Sequence, residues 1–169
     1  TPWSGRIAGM SSSRPEGRAP VPAGLARFLG SGVRSTREVR GYLRRRGVPE
    51  SDAERLIAAC RERGLLDDRL AARLWAEQWA RAGFAVAAIR HKLTTKGFDA
   101  HVIDAAERAT PPSEDEARAR LVLARHTRRA SGTAARARLT RTLASRGFDP
   151  DVIERVLRES LGSTDPDAD

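Results

Sequence analysis

A short phrase recurs three times at one fixed spacing in this chain of 169 residues, and it constrains the fold more than any other feature. In each copy a leucine stands four residues before a glycine, and the glycines at positions 47, 97 and 147 are 50 residues apart. An aliphatic residue stands four before each leucine, a basic residue directly precedes each glycine, and an apolar residue follows it. Internal repetition on this scale predicts an array of similar helical modules.

Each copy has the properties of a helix end. Apolar residues at positions i and i+4 mark one face of a helix. A glycine just past the helix closes the last turn in a left-handed conformation, and the next residue then packs on the leucine. The basic residue before the glycine suits the negative end of the helix dipole. The expected contacts are Leu43–Val48, Leu93–Phe98 and Leu143–Phe148, with two further turns at Gly64 and Gly83.

Hydrophobic periodicity predicts nine helices in three triplets and no sheet, because no stretch alternates with period two. The predicted helices are residues 22–29, 35–46 and 50–63, then 68–82, 86–96 and 100–108, then 114–129, 134–146 and 150–160. The fold class is therefore all-α, an elongated array of three tandem three-helix repeats that resemble helix-turn-helix modules. We expect a disordered N-terminal extension over residues 1–20, repeats at 21–64, 65–110 and 111–161, and an acidic tail over 162–169.

Polar residues at several predicted helix starts are interpreted as N-caps. They are the capping boxes Ser35–Glu38 and Ser51–Glu54, the aspartates Asp67 and Asp99, and Asp149 followed by Pro150.

Bulk composition indicates the compartment and the partner. The formal net charge is +9, which draws a protein to polyanions such as nucleic acid or an acidic protein surface. The sequence has no run of about 18 apolar residues, so no membrane span is predicted. No secretory signal is visible either. The single cysteine, Cys60, lies on an apolar helix face and is expected to be a buried, reduced thiol. We expect a cytoplasmic protein.

No catalytic constellation is visible in the sequence. The three histidines are scattered and no phosphate-binding loop is present, so neither a metal nor a cofactor is expected. The adjacent Asp67 and Asp68 are interpreted as helix caps rather than a catalytic pair. Trp75 and Trp79, one helical turn apart, are interpreted as packing residues rather than a ligand platform. These features favour a protein that is not an enzyme.

The basic surface is the one functional signal. Residues 117–148 contain nine arginines and no acidic residue, although the chain has 22 acidic residues. The alternative interpretation is that these arginines form a helix face that contacts only solvent, without binding a polyanion. Nothing in the pattern predicts sequence-specific recognition of nucleic-acid bases. The candidate contact residues, chosen on charge alone, are Arg37, Arg40, Arg44, Arg45, Arg90, Lys92, Lys96, Arg118, Arg125, Arg129, Arg136, Arg138 and Arg141.

Residues 61–71, R-E-R-G-L-L-D-D-R-L-A, resemble the signature of the RecX family of bacterial recombination regulators. That signature is a glycine, a bulky residue, an aliphatic residue, two aspartates, any residue, a large apolar residue and an alanine. Residues 34–43, 88–103 and 143–153 resemble further phrases of the family, so the resemblance extends over residues 23–160. Leu65 and Leu70 depart from the pattern, since the family often has aromatic residues there.

The resemblance implies a regulator of DNA repair, recombination and the SOS response. RecX-like proteins are cytoplasmic modulators of the RecA recombinase that bind the RecA–DNA filament, lie in its groove, and inhibit ATP hydrolysis and strand exchange. The expected partner is therefore the RecA filament. This chain is expected to bind it as a monomer and without a cofactor. Two questions stay open: whether inhibition works by capping or by groove occupancy, and whether the chain is instead a direct, sequence-nonspecific DNA-binding array.

Overall fold

The computed structural model describes residues 20–126 and 133–161. In this part of the chain there are nine α-helices, a short 3-10 turn at Pro112–Glu114, and no strand. The helices are α1 (Ala23–Gly30), α2 (Thr36–Arg45), α3 (Glu50–Glu62), α4 (Asp68–Arg81), α5 (Val86–Lys96), α6 (Ala100–Arg108), α7 (Asp115–His126), α8 (Thr133–Ala144) and α9 (Pro150–Leu161). The all-α fold class is confirmed. The predictions for residues 1–19, 127–132 and 162–169 lie outside the described residues.

The chain divides into two compact units, Thr1–Ala71 and Ala72–Asp169. The first unit has one apolar core, contributed by α1, α2, α3 and the residue Leu66. Cys60 is fully buried in that core, and burial raises the pKa of its thiol. The predicted burial of this cysteine is confirmed.

The second unit contains most of α4 and all of α5 to α9. Helices α7, α8 and α9 enclose a core to which Leu123, Leu139, Leu143 and Val156 contribute. Ala85, just before α5, belongs to the same core, so the second and third triplets are packed together within this unit.

The predicted helix ends are confirmed at all three copies of the repeated phrase. The glycines at 47, 97 and 147 have φ of 72°, 80° and 82°. The amide of the residue after each glycine donates to the carbonyl of the predicted leucine: Val48 to Leu43 (3.2 Å), Phe98 to Leu93 (3.3 Å) and Phe148 to Leu143 (3.3 Å). Gly64 and Gly83 form the same turn, with φ of 66° and 83°.

Three of the predicted caps are present, the Ser51–Glu54 box is wrong, and Asp99 has the predicted N-cap position without a side-chain hydrogen bond. Ser35 and Glu38 form a reciprocal capping box, and the carboxylates of Asp67 and Asp149 accept backbone amides of the following helices. The Ser51–Glu54 box does not form because α3 already begins at Glu50, with Pro49 as its N-cap. Asp99 occupies the N-cap position of α6, but its exposed carboxylate accepts no capping hydrogen bond.

Two aspartates cap helices that lie far away in sequence. Asp68 accepts the amide of Thr36 at the start of α2 (2.7 Å), and Asp115 accepts the amide of Val86 at the start of α5 (3.1 Å). Each aspartate is the first residue of the helix that opens the next triplet. The adjacent carboxylates at 67 and 68 therefore both cap, but they cap different helices.

Replacing Asp68 by alanine should lower the free energy of unfolding by about 1 kcal/mol, because the amide of Thr36 loses its acceptor. Asp68→Asn keeps an acceptor oxygen and should lose less. Urea titration followed by circular dichroism measures both changes. Asp99→Ala is the matched control, and it should change stability by less than about 0.5 kcal/mol since its side chain makes no capping bond. Equal losses for Asp68→Ala and Asp99→Ala would contradict the capping role.

Candidate polyanion-binding site

Charge is segregated among the helices according to their place in each triplet. The second helices are cationic: α2 has four arginines and one glutamate, α5 has one arginine and two lysines, and α8 has three arginines, so each carries a formal +3. The third helices are acidic, because α3 carries −2 and α6 and α9 carry −1 each. A candidate polyanion site therefore lies on the second helices.

Helix α2 presents arginines to solvent from one side. Val39 and Leu43 are buried in the core of the first unit, which orients the opposite side outward. Arg37, Arg44 and Arg45 are exposed there, and their side chains make no ion pair or hydrogen bond with any described residue. We refer to these three arginines as the α2 face.

Helix α8 presents a second group of arginines. Arg136, Arg138 and Arg141 are exposed and have no ion-pair partner within residues 20–126 and 134–160, and we refer to them as the α8 face. Arg125 is likewise exposed, in the last turn of α7. Arg129 lies outside the described residues. The α2 face belongs to the first unit and the α8 face to the second.

Arg40 and Arg90 occupy equivalent positions, 50 residues apart, and both are ion-paired. Arg40 lies 2.6 Å from Glu54 on α3, and Arg90 lies 3.0 Å from Asp104 on α6. Hydrogen bonds to these carboxylates raise the pKa of each guanidinium further above its ordinary value. Both arginines connect the second helix of a triplet to the third, so much of their charge is already balanced within the fold.

The two lysines of α5 pack against aromatic rings. The Nζ atom of Lys92 lies 4.4 Å from the centroid of the Phe84 ring, and that of Lys96 lies 4.1 Å from the Trp75 ring. Trp75 stacks on Trp79 with ring centroids 5.1 Å apart. Cation–π contacts of this kind hold the ammonium groups at the side of α5 rather than on its most exposed surface.

Arg118 is a structural residue and does not belong to a contact surface. Its side chain is 7% exposed and pairs with Asp115 (2.7 Å) and Glu114 (2.9 Å). It also donates to the carbonyl of Pro111 (2.8 Å). Its position four residues before the buried Val122 was a sequence signal for this burial, and the acids three and four residues earlier were a signal for its pairing. We therefore remove Arg118 from the candidate site.

Arg46 extends the arginine cluster of α2 in the sequence and directly precedes the turn glycine, but it is not among the candidate residues. It is exposed, and its Cζ atom lies 5.0 Å from the centroid of the Tyr42 ring. The equivalent basic residues also lie over rings, Lys96 over Trp75 and Arg146 over Phe84 at 5.9 Å.

Two further features are absent from the described residues. No helix there is long and apolar enough to cross a membrane. No group of three or more histidine, cysteine, aspartate and glutamate side chains in that part of the chain could hold a metal ion.

Known proteins resemble this chain in sequence and in structure. Residues 113–157 match the family described as RecX, third three-helix domain. "Regulatory protein RecX" of Streptomyces lividans is 34% identical over 162 residues, covering 89% of this chain and 86% of the relative. The protein of that name in Thermobifida fusca is 30% identical over 139 residues, covering 80% and 75%. The crystal structure of RecX from Lactobacillus salivarius superposes with a TM-score of 0.67 at 18% identity, over 80% of this chain and 91% of that one.

Proposed function

The chain belongs to the RecX family of regulatory proteins, as its sequence motifs predict, and we propose that it binds the RecA–DNA filament and inhibits the ATPase and recombinase activity of RecA. In this proposal it acts in the cytoplasm as a monomer and contributes no chemical step of its own. Its role is in the control of DNA repair and recombination, including the SOS response.

The observation that carries this proposal is the exposure of uncompensated arginines on α2 and α8. Their charge is not balanced by the acidic residues that pair with Arg40 and Arg90, so it is available to an external polyanion. A nucleoprotein filament offers two such surfaces, the phosphate backbone and acidic protein side chains. Binding through either would weaken steeply as salt increases.

The rival function is direct, sequence-nonspecific binding to DNA through helix-turn-helix-like units. In three-helix DNA-binding modules of that type, the third helix is the recognition helix that enters the major groove. Here the third helix of each triplet carries a net negative charge, which opposes entry into a groove lined by phosphates. The charge distribution therefore supports contact through second helices and disfavours groove reading by third helices.

Inhibition without chemistry requires that the protein bind one state of the filament better than another. A protein that caps a growing filament acts at few copies per filament. A protein that occupies the groove must coat the filament. The stoichiometry of inhibition therefore distinguishes the two mechanisms.

The test is the DNA-dependent ATPase rate of the cognate RecA filament as this protein is titrated in. We expect the rate to fall, at well below one copy per recombinase for capping and near saturation for groove occupancy. Binding to naked DNA is titrated in parallel. An unchanged ATPase rate together with tight binding to naked DNA would contradict filament regulation and leave the direct DNA-binding function.

A further inference from the structure

Two aromatic rings in the first unit form a stack that is closed at each end by a guanidinium. Phe28 of α1 and Tyr42 of α2 lie nearly parallel, with ring centroids 4.3 Å apart and 12° between their planes. The Cζ atom of Arg34 lies 4.5 Å from the Phe28 centroid, and that of Arg46 lies 5.0 Å from the Tyr42 centroid. The order is therefore Arg34, Phe28, Tyr42, Arg46.

The two ends of this stack differ in accessibility. Arg34 is half-buried and donates to the hydroxyl of Ser31 (3.0 Å). The guanidinium at that end of the stack is therefore engaged within the protein and is not available to a ligand. Arg46 is exposed, and its side chain has no hydrogen bond or ion pair with any described residue. The Arg46 end is thus held by a ring on one side and meets solvent on the other.

A guanidinium held in this way has the properties of a stacking site. It is planar, weakly hydrated and always charged, and unpaired nucleobases stack on guanidinium planes as they do on aromatic rings. The cation–π contact with Tyr42 orders the side chain before a ligand arrives, which reduces the entropy lost on binding. Arg44 and Arg45 immediately precede Arg46 and are exposed, so cations for the adjoining phosphates lie next to the stacking position.

We propose that Arg46, supported by the Tyr42–Phe28 pair, is a stacking site for an unpaired base of single-stranded nucleic acid, with Arg44 and Arg45 meeting the neighbouring phosphates. This goes beyond the proposed function, because it concerns a free single strand and does not require the recombinase. It also predicts a preference that charge alone cannot produce, since phosphates without bases would satisfy the arginines of α2 equally well.

The test compares a thymidine oligonucleotide with an abasic phosphate backbone of the same length, both labelled for fluorescence anisotropy at low salt. The full-length protein should bind the thymidine strand about fivefold more tightly than the abasic strand. Arg46→Lys keeps the charge but removes the planar group, so the ratio of the two dissociation constants should fall to nearly one. Arg27→Lys is the matched control. It makes the same chemical change at an exposed arginine of α1 that has no ring contact and lies outside the proposed site, and the ratio should stay near fivefold.

Two results would overturn the proposal. Equal affinity of the wild-type protein for both strands would show that no base is stacked. A preference that survives in Arg46→Lys would place the stacking elsewhere in the chain. Because RecA is absent from this assay, either result is separate from the outcome of the ATPase titration.

Discussion

Replacing Gly147 by alanine should lower the free energy of unfolding of the second unit by about 2–5 kcal/mol. Gly147 has φ of 82°, a left-handed conformation that costs an alanine about 1–2 kcal/mol. A Cβ atom there would also lie 2.7 Å from the Cβ and 3.2 Å from the backbone nitrogen of Ala88 on α5. Backbone cannot rotate away as a flexible side chain can, so α5 or the turn must shift, and such overpacking costs about 1–3 kcal/mol more.

The repeat itself supplies the matched control. Gly47 is the equivalent residue of the first triplet, with φ of 72°, and a Cβ there would meet nothing within 4 Å. Gly47→Ala should therefore cost only the conformational part, about 1–2 kcal/mol. Urea unfolding followed by circular dichroism measures both variants, and the fluorescence of Trp75 and Trp79 reports on the second unit. Equal losses at the two positions would show that close approach to Ala88 contributes nothing.

Most of the fold was predictable because its signals are local. The turn at each repeated glycine depends on a leucine, a glycine and an apolar residue within six consecutive positions, and all three copies form it. The Ser35–Glu38 box is equally local and is present. The caps of α2 and α5 by Asp68 and Asp115 join residues 32 and 29 positions apart, so no helix-start motif predicts them.

The candidate site was less predictable, because the availability of a charge depends on what lies opposite it. Charge alone selected Arg37, Arg44 and Arg45 as candidates, and all three are exposed on α2. Charge could not show that Arg40 meets Glu54, since that contact requires the packing of α3 against α2. The stack that holds Arg46 also depends on tertiary structure, because Phe28 and Tyr42 lie on different helices and meet only when α1 packs against α2.

Reversing the three charges of the α8 face, as Arg136→Glu, Arg138→Glu and Arg141→Glu together, should weaken binding to the RecA–DNA filament by about 100-fold or more. Each substitution replaces an attraction to a polyanion by a repulsion, and like charges at an interface cost several kcal/mol. The fold should be unaffected, since these side chains are exposed and make no ion pair with a described residue. Affinity is measured by anisotropy on a labelled filament at two salt concentrations, with circular dichroism as the folding check.

The control must alter the net charge equally without touching a second helix. Arg27→Glu, Arg69→Glu and Arg108→Glu together do so, because these exposed arginines lie on α1, α4 and α6. This variant should lose less than about tenfold in affinity, since screened charges away from an interface act only weakly. Equal losses in the control and the α8 variant would mean that net charge, rather than the α8 face, governs binding. Reversing the charges of the α2 face completes the comparison. A large loss of filament affinity from reversal of each face would mean that both units engage the filament, and a loss from only one face would assign the interface to that unit. If neither reversal lowers the affinity, the proposal that second helices bind the filament is contradicted.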